Sequence, residues 1–358
     1  MEITVVKETK TKERRVALVP RDVKEIISHG HDVFVENNAG IESGYTNELY
    51  LEVGAKIIST EEAKNKHFIV KVKEPNIEDL KENQTIFGFL HIEKGQNPEL
   101  LHALLNKNIT AYAYEEFRDP TTKIRVTGQG FEAGVVGMFE GLRTYGKILE
   151  KRNLKNPFHV LKSIWDYKNK EEAYLELRKV NPREVAINVF IVGYGNVSKG
   201  SQEVLAQMSC PVNILKEEDT LRTKLFNQDF AYIWKHLPKI DILVNAIIWR
   251  PGNNRVITKE DLELMKNNSL IIDISCDLAG GIESCIPTSW ENPTYEVKTN
   301  NNKSINHFCV DNLPSAIAQD SSRILSAGIL PFILKVAEGE ELRGSLMTKN
   351  GQFVFTQH

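Results

Sequence analysis

The sequence predicts an α/β fold of two domains with parallel sheets, one domain inserted into the other, and three observations predict it. Strand-like and helix-like runs alternate from the N-terminus onward, a long helical pattern interrupts them before the alternation restarts, and the last helical stretch has no strands of its own. At 358 residues the chain also exceeds one ordinary core and suits two domains of ~100 to 200 residues each.

The first series opens with the strand-like ITVVKE. VPRDVKEIISHG follows with apolar residues at helical spacing, and HDVFVEN is again strand-like. The alternation continues through AKII, a helix over TEEAKN, HFIVKVKE, a helix around NIEDLKEN, TIFGFLHI, a helix around NPELLHALLNKN, and TAYAYEEF. Gly130 to Arg152 then forms one long helical pattern in which Ala133, Gly134 and Gly137 are small enough for close packing. This helix marks the domain boundary.

The second series runs VAINVFIVGYG, a helix over SKGSQEVLAQM, VNILK, IDILVNAII, a helix over TKEDLELMKNN, and SLIIDIS. After ENPTYEV, the polar run KTNNNKSIN predicts a surface loop, and the last part of HFCVDNLPSAIAQDSSRILSAGILPFILKVAEG is helical again. Helices without a sheet must pack elsewhere, so they are expected to return to the first domain. The expected division is 1–128 plus 312–358 for a catalytic domain and 129–311 for the inserted one.

Charge and cysteine usage narrow the function. The net charge is −3 and the basic residues are scattered, which disfavours a nucleic-acid partner. No segment stays apolar for the ~18 residues of a membrane helix, and the N-terminus turns charged too early for a signal peptide, so a cytoplasmic protein is expected. Cys210, Cys276, Cys285 and Cys309 lack paired CxxC spacing and are expected to be reduced packing residues, with no metal.

The strand-like NVFIV feeds Gly193, Tyr194, Gly195, Asn196, Val197 and Ser198, a G-x-G-x-x-S pattern that opens a helix. Gly193 suits a tight turn, Gly195 lets backbone approach a pyrophosphate, and a small third residue serves helix–strand packing. A lone glycine pattern is weak, because any sharp strand-to-helix turn can carry one. Here a second strand and a polar segment follow at the ~20-residue distance where a dinucleotide's ribose is read. That segment begins with Lys216, which favours the phosphate of NADP; the adjacent Glu217, Glu218 and Asp219 keep NAD open. The inserted domain is thus expected to be Rossmann-like.

Arg15, Lys73, His91 and Asp277 lie near predicted strand ends. Alone, each is unremarkable: a lysine is usually solvated, and a histidine after a strand is more often structural. Together they form the inventory that hydride transfer to a C=O or C=N bond requires. Arginine fixes a carboxylate with two hydrogen bonds, while a lysine and a histidine polarise the reacting bond and move its proton.

Read together, KETKTKERRVALVP, IVKVKEP, FGFLHI, GYGNVSKGSQ, IIDISCDLAGGIES and VDNLPS resemble the superfamily of alanine dehydrogenase and lysine-forming saccharopine dehydrogenase across nearly the whole chain. The resemblance implies a fold of two Rossmann-like domains with one inserted. It implies catalytic roles for Lys73, His91 and Asp277, and substrate-binding roles for Arg15, Glu74 and Arg125. Gly193, Gly195, Asn196, Val197, Lys216, Ala246, Ile247 and Asn312 fall on its cofactor-binding motifs.

The later motifs resemble lysine–ketoglutarate reductase and N5-(carboxyethyl)ornithine synthase, which reduce the imine of an amino acid and a 2-keto acid. KVKEP is nearer alanine dehydrogenase. The expectation is a saccharopine-dehydrogenase-type reductive amination with NADP or NAD, in which Arg15 and Arg125 anchor carboxylates. The alternatives are alanine dehydrogenase, acting on pyruvate and ammonia, N5-(carboxyethyl)ornithine synthase, and a noncatalytic nucleotide-binding subunit like that of transhydrogenase. The expected partners are a small amino acid and a 2-keto acid, without nucleic acid or membrane, and a homo-oligomer is compatible with this reading.

Overall fold

Runs of Val, Ile and Phe, too continuous for a sheet with one wet face, set the strands of both sheets. The computed structural model describes residues 1–355 apart from 94, 96, 182, 183, 185, 226 and 227. In chain order the strands are β1 (Glu2–Val5), β2 (Asp32–Glu36), β3 (Lys56–Ile58), β4 (Phe68–Val70), β5 (Thr85–Gly88), β6 (Thr110–Ala113), β7 (Val189–Val192), β8 (Val212–Leu215), β9 (Thr223–Leu225), β10 (Gln228–Phe230), β11 (Ile242–Asn245), β12 (Leu270–Asp273), β13 (Thr294–Lys298), β14 (Ser304–Phe308), β15 (Leu346–Lys349) and β16 (Gln352–Phe353). The helices are α1 (Pro20–Ser28), α2 (Asn47–Glu52), α3 (Thr60–Lys64), α4 (Pro98–Asn106), α5 (Gly130–Lys151), α6 (Lys170–Leu177), α7 (Asn196–Gln207) and α8 (Ala318–Ala337). Two compact units result, Met1–Gln129 with Ala318–His358, and Gly130–Ile317.

In the first unit the sheet order is β16-β15-β6-β5-β4-β1-β2-β3. β1 to β6 pair in parallel, while β15 joins β6 and β16 joins β15 antiparallel. α1 starts with Pro20 at its first turn, where the missing N–H loses nothing, and buries Val23 and Ile26. α8 buries Leu325, Ile329 and Ile333 in the same core. Its Ser322 and Ser326 hydroxyls accept the backbone N–H groups of Val16 (2.9 Å) and Val19 (3.0 Å), which anchors the segment after Arg15.

In the second unit the order is β13-β14-β12-β11-β7-β8, parallel except for β13, and β9 and β10 form a separate antiparallel pair. Backbone proximity explains the glycines of α5 and α7. A Cβ added at Gly134 would lie 2.0 Å from the Val197 carbonyl, and one at Gly200 would lie 2.0 Å from that of Phe131. These two helices therefore pack backbone to backbone.

Three predicted elements differ. The helix around NIEDLKEN is a single 3-10 turn, Ile77–Asp79, because the segment buries only Leu80 and no apolar face repays helix nucleation. The helix over TKEDLELMKNN shrinks to the 3-10 turn Asp261–Glu263. There the Asp261 carboxylate takes Thr258 N–H (2.8 Å) and Trp234 Nε1–H (2.7 Å), side-chain bonds that compete with a helix. KTNNNKSIN is not all loop, since its ends belong to β13 and β14 and only its centre turns. The antiparallel edge strands also make both sheets mixed. Among the described residues, no helix is long and apolar enough to cross a membrane.

Candidate functional site

In the first unit the candidate residues gather where parallel strands end, the edge at which open α/β sheets bind ligands. Beyond the regular pairing of β4 with β5, Phe89 N–H donates to the Val72 carbonyl at 2.9 Å. Lys73 and His91 therefore leave adjacent strands side by side. Glu8, just after β1, fixes the first of them: its buried carboxylate accepts Val72 N–H (2.6 Å) and Lys73 N–H (3.2 Å) and pairs with the buried Lys71 ammonium (3.3 Å).

His91 has a left-handed backbone, with φ of 53°. That conformation is unfavourable for histidine, and its surroundings impose it. The carboxylate of Glu115, just after β6, accepts His91 N–H at 2.8 Å and lies 3.1 Å from the same residue's Nδ1. The ring stacks on Phe89 with centroids 6.3 Å apart. Burial, and then the nearby Lys73 ammonium, lower the imidazole below its ordinary range. Burial pushes the Glu115 carboxyl up to about 7, and its Oε2 is buried without a hydrogen-bond partner. The Glu115 shift brings that carboxyl's proton exchange near neutrality, beside an imidazole whose pKa is lowered.

Arg125 is solvent-exposed, and its guanidinium lies 5.4 Å from the Phe89 ring, on which His91 also stacks. Burial is the largest influence on the Glu74 carboxyl and raises it, but the bond it accepts from Lys10 Nζ at 2.8 Å, its own backbone N–H and the Lys10 and Lys73 charges together hold it below the usual range. Arg15 differs from the open clamp expected. It is 4% exposed and forked on Glu13, with Nε–Oε1 at 2.7 Å and NH2–Oε2 at 2.5 Å, while its NH1 donates to Gln129 Oε1. A carboxylate reaching this cation has to approach the side held by Gln129.

The second unit gathers the other candidates at the carboxyl ends of β7, β11, β12 and β14. β7 lies between β8 and β11, so successive connections leave it on opposite sides, the topological switch point where nucleotides bind. Gly193 has φ of 120°, and a Cβ there would sit 2.7 Å from the Ala246 carbonyl, so this turn admits only glycine. A Cβ at Gly195 would meet nothing within 4 Å. Its face opens on space beside the N-terminus of the twelve-residue α7, which Asn196 starts and no side chain caps. Exposed N–H groups, a helix dipole and room for close approach fit a pyrophosphate.

Ala246 N–H donates to the Val192 carbonyl (2.9 Å), and Ser275 Oγ–H donates to the carbonyl of Ile247. Lys216, after β8, is exposed, while the Asp219 carboxylate turns back to accept its N–H at 2.7 Å. Asp277 is half-buried in a loop whose Cys276 and Ala279 have φ of 55° and 47°. Asn312, with φ of 56°, follows β14.

The structure thus brings Lys73, Glu74, His91 and Arg125 into one neighbourhood and the dinucleotide candidates with Asp277 into another. Glu8, Phe89 and Glu115 were missed. Glu115 and Phe89 lie within motifs already singled out by their strand-end position, TAYAYEEF and FGFLHI, so position after a strand was the available signal.

Comparison with known proteins bears on the same segments. The family model for the alanine dehydrogenase/PNT N-terminal domain matches residues 4–130, and that for the C-terminal domain matches 184–354. An alanine dehydrogenase of Methanococcus maripaludis is 31% identical over 99% of this chain and 95% of its own length. Alanine dehydrogenase 1 of Staphylococcus aureus is 28% identical over 94% of this chain and 88% of its own. Among solved structures, an L-alanine dehydrogenase superposes with a TM-score of 0.76 at 24% identity, covering 99% of this chain and 97% of that one. A transhydrogenase from Sinorhizobium meliloti gives 0.69 at 19%, covering 99% of both, so these two likenesses concern fold.

Proposed function

The chain belongs to the alanine dehydrogenase/PNT family and is a nicotinamide-dinucleotide-dependent oxidoreductase of amino acids, and we propose that it interconverts a 2-oxo acid and its amino acid by reductive amination with ammonia. The relatives' names support this over the saccharopine-type reaction expected from the later sequence motifs. The carrying observation is the meeting of Lys73, His91 and Glu115 at three adjacent strand ends.

When bound, the dinucleotide supplies or accepts a hydride. The Lys73 ammonium donates a hydrogen bond to the carbonyl or imine and draws electron density from the reacting carbon. His91 transfers the proton through Nε2, because Nδ1 faces Glu115. With Glu115 ionised, Nδ1 carries the ring proton and Nε2 accepts one; protonating the ring at Nε2 makes it the donor for loss of water from the carbinolamine. Arg15 holds the substrate carboxylate once Gln129 yields its bond, and Glu13 keeps the guanidinium from turning. The open face of Gly195, Asn196 and Val197 cradles the pyrophosphate, Ala246, Ile247 and Asn312 line the adjoining strand ends, and Asp277 binds ribose. Lys216 favours NADP, since the Asp219 carboxylate is turned back onto the Lys216 backbone N–H.

A second reading, reduction of an imine formed by an amino acid and a 2-oxo acid, rests on Arg125. This exposed cation shares Phe89 with His91 and suits a substrate with an additional carboxylate. Following nicotinamide absorbance with pyruvate plus ammonia, and with lysine or ornithine plus pyruvate or 2-oxoglutarate, separates the two. Ammonia as the best amine supports the first reading, and an amino acid as the best amine establishes the second. No oxidation or reduction with any pair would sink both.

A further inference from the structure

Lacking CxxC spacing, the cysteines were expected to be packing residues, and the fold separates them into two kinds. Cys210 lies by itself after α7, but the other three meet at the ends of β12 and β14. One ligand atom each from Asp273, Cys285 and Cys309 lies within 4.8 Å of the other two, and all three residues are buried. Cys276 adjoins them: its thiol interacts with that of Cys285 and donates to the Cys309 carbonyl at 2.7 Å.

We propose that Asp273, Cys276, Cys285 and Cys309 form a binding site for a thiophilic divalent cation, with zinc the ion of matching chemistry. Three sulfurs and one carboxylate oxygen make a donor set that zinc takes in closed tetrahedral sites, with metal–ligand distances of about 2.0 to 2.3 Å and hence ligand separations of about 3.3 to 3.8 Å. For Asp273, Cys285 and Cys309, closing from at most 4.8 Å to that spacing takes side-chain shifts of about an ångström, and Cys276 joins by giving up its bond to the Cys309 carbonyl.

A second observation points to a ligand. Asp273 is 1% exposed, and its Oδ2 has no hydrogen-bond partner beyond the weak donor of the Cys285 thiol beside the carboxylate. Its Oδ1 accepts from Asn245 Nδ2 at 2.9 Å and from Cys276 N–H at 3.3 Å, so the carboxylate is oriented from behind while one oxygen stays without a strong donor. A buried carboxylate oxygen left this way is strongly disfavoured. A cation satisfies it, and binding two or more thiols as thiolates releases their protons to solvent. Sequence spacing hides the set, because the ligands come from two strand ends and two loop positions, brought together by the parallel pairing of β12 with β14. The cation would tie the loop carrying Asp277 to both strands, a structural role separate from hydride transfer.

The test is the zinc content of the full chain after incubation with zinc chloride and desalting, read by elemental mass spectrometry. Retention of about one zinc per chain is expected, with release by a thiol-blocking reagent. Cys285→Ser and Cys309→Ser should each lower retention at least tenfold, and Cys210→Ser should leave it unchanged. Because the serine variants can misfold, cobalt substitution of the wild type gives an independent readout, intense visible bands of tetrahedral thiolate coordination. Folded wild-type protein that retains less than about a tenth of an equivalent and shows no such bands would overturn the site. Equal retention by folded Cys285→Ser, or a disulfide among these thiols in purified protein, would overturn it as well.

Discussion

The two units place candidate residues at the same topological position and build them from opposite materials. In the first, the edge consists of charged side chains held by buried carboxylates: Glu8 on the Lys73 backbone, Glu13 on Arg15 and Glu115 on His91. In the second, the candidate dinucleotide end of the edge is mostly backbone, with the left-handed turn of Gly193, the open face of Gly195 and the uncapped start of α7. Where groups must change protonation, burial and neighbouring charge can tune them. Where a constant anion must be held, fixed dipoles suffice and tuning would add nothing.

If that division of labour holds, damage to either edge should have its own signature. The largest effect is expected from Lys73→Met and His91→Ala, each lowering turnover by ~10² or more while leaving thermal stabilisation by the dinucleotide unchanged. Loss of that stabilisation in either variant would break the comparison.

Glu115 sharpens it through pH. Its folded pKa of about 7 lies above the ordinary 4.5, so its favourable contribution to stability is complete below pH 4.5 and lost as pH rises through 7. The loss is on the order of 3 kcal/mol, at about 1.4 kcal/mol per pKa unit. Melting curves from pH 5 to 8 should therefore show Glu115→Gln gaining on the wild type as pH rises, and parallel curves would contradict the assigned burial.

Gly193→Ala should behave oppositely to the Lys73 change. The φ of 120° and the 2.7 Å approach to the Ala246 carbonyl predict a stability loss of ~1–3 kcal/mol, together with loss of the dinucleotide-induced thermal shift. An unaltered shift would mean that this turn does not hold the nucleotide. The smallest effect is expected at Lys216, where exchange to Asp should change the ratio of NADPH to NADH affinity by ~10-fold, measured by titration, since one charge–phosphate contact is removed. Equal ratios would take Lys216 out of cofactor choice.

The contrast also explains what could be read without coordinates. The glycine turn was legible because its requirement is local: a strand, a positive φ and a helix start follow one another in sequence. Lys73 and His91 were legible as strand-end residues of fitting chemistry. Glu115 was not, because an acid 24 residues after His91 acquires meaning only when β6 lies beside β5. Arg15 stood out as a cation, yet its forked pairing with Glu13, two residues away, depends on burial that the segment gains from α8, some 300 positions later in the chain.

By itself, then, the amino-acid order determined the alternation of strands and helices, the glycine turn and the identity of the candidate groups, since these depend on periodicity, φ preference and functional-group chemistry within short windows. Tertiary structure decided which charges face one another, which thiols cluster and which carboxyl keeps its proton near neutrality. Those properties depend on distance and local dielectric, and strand pairing brings together residues that the chain separates by tens or hundreds of positions.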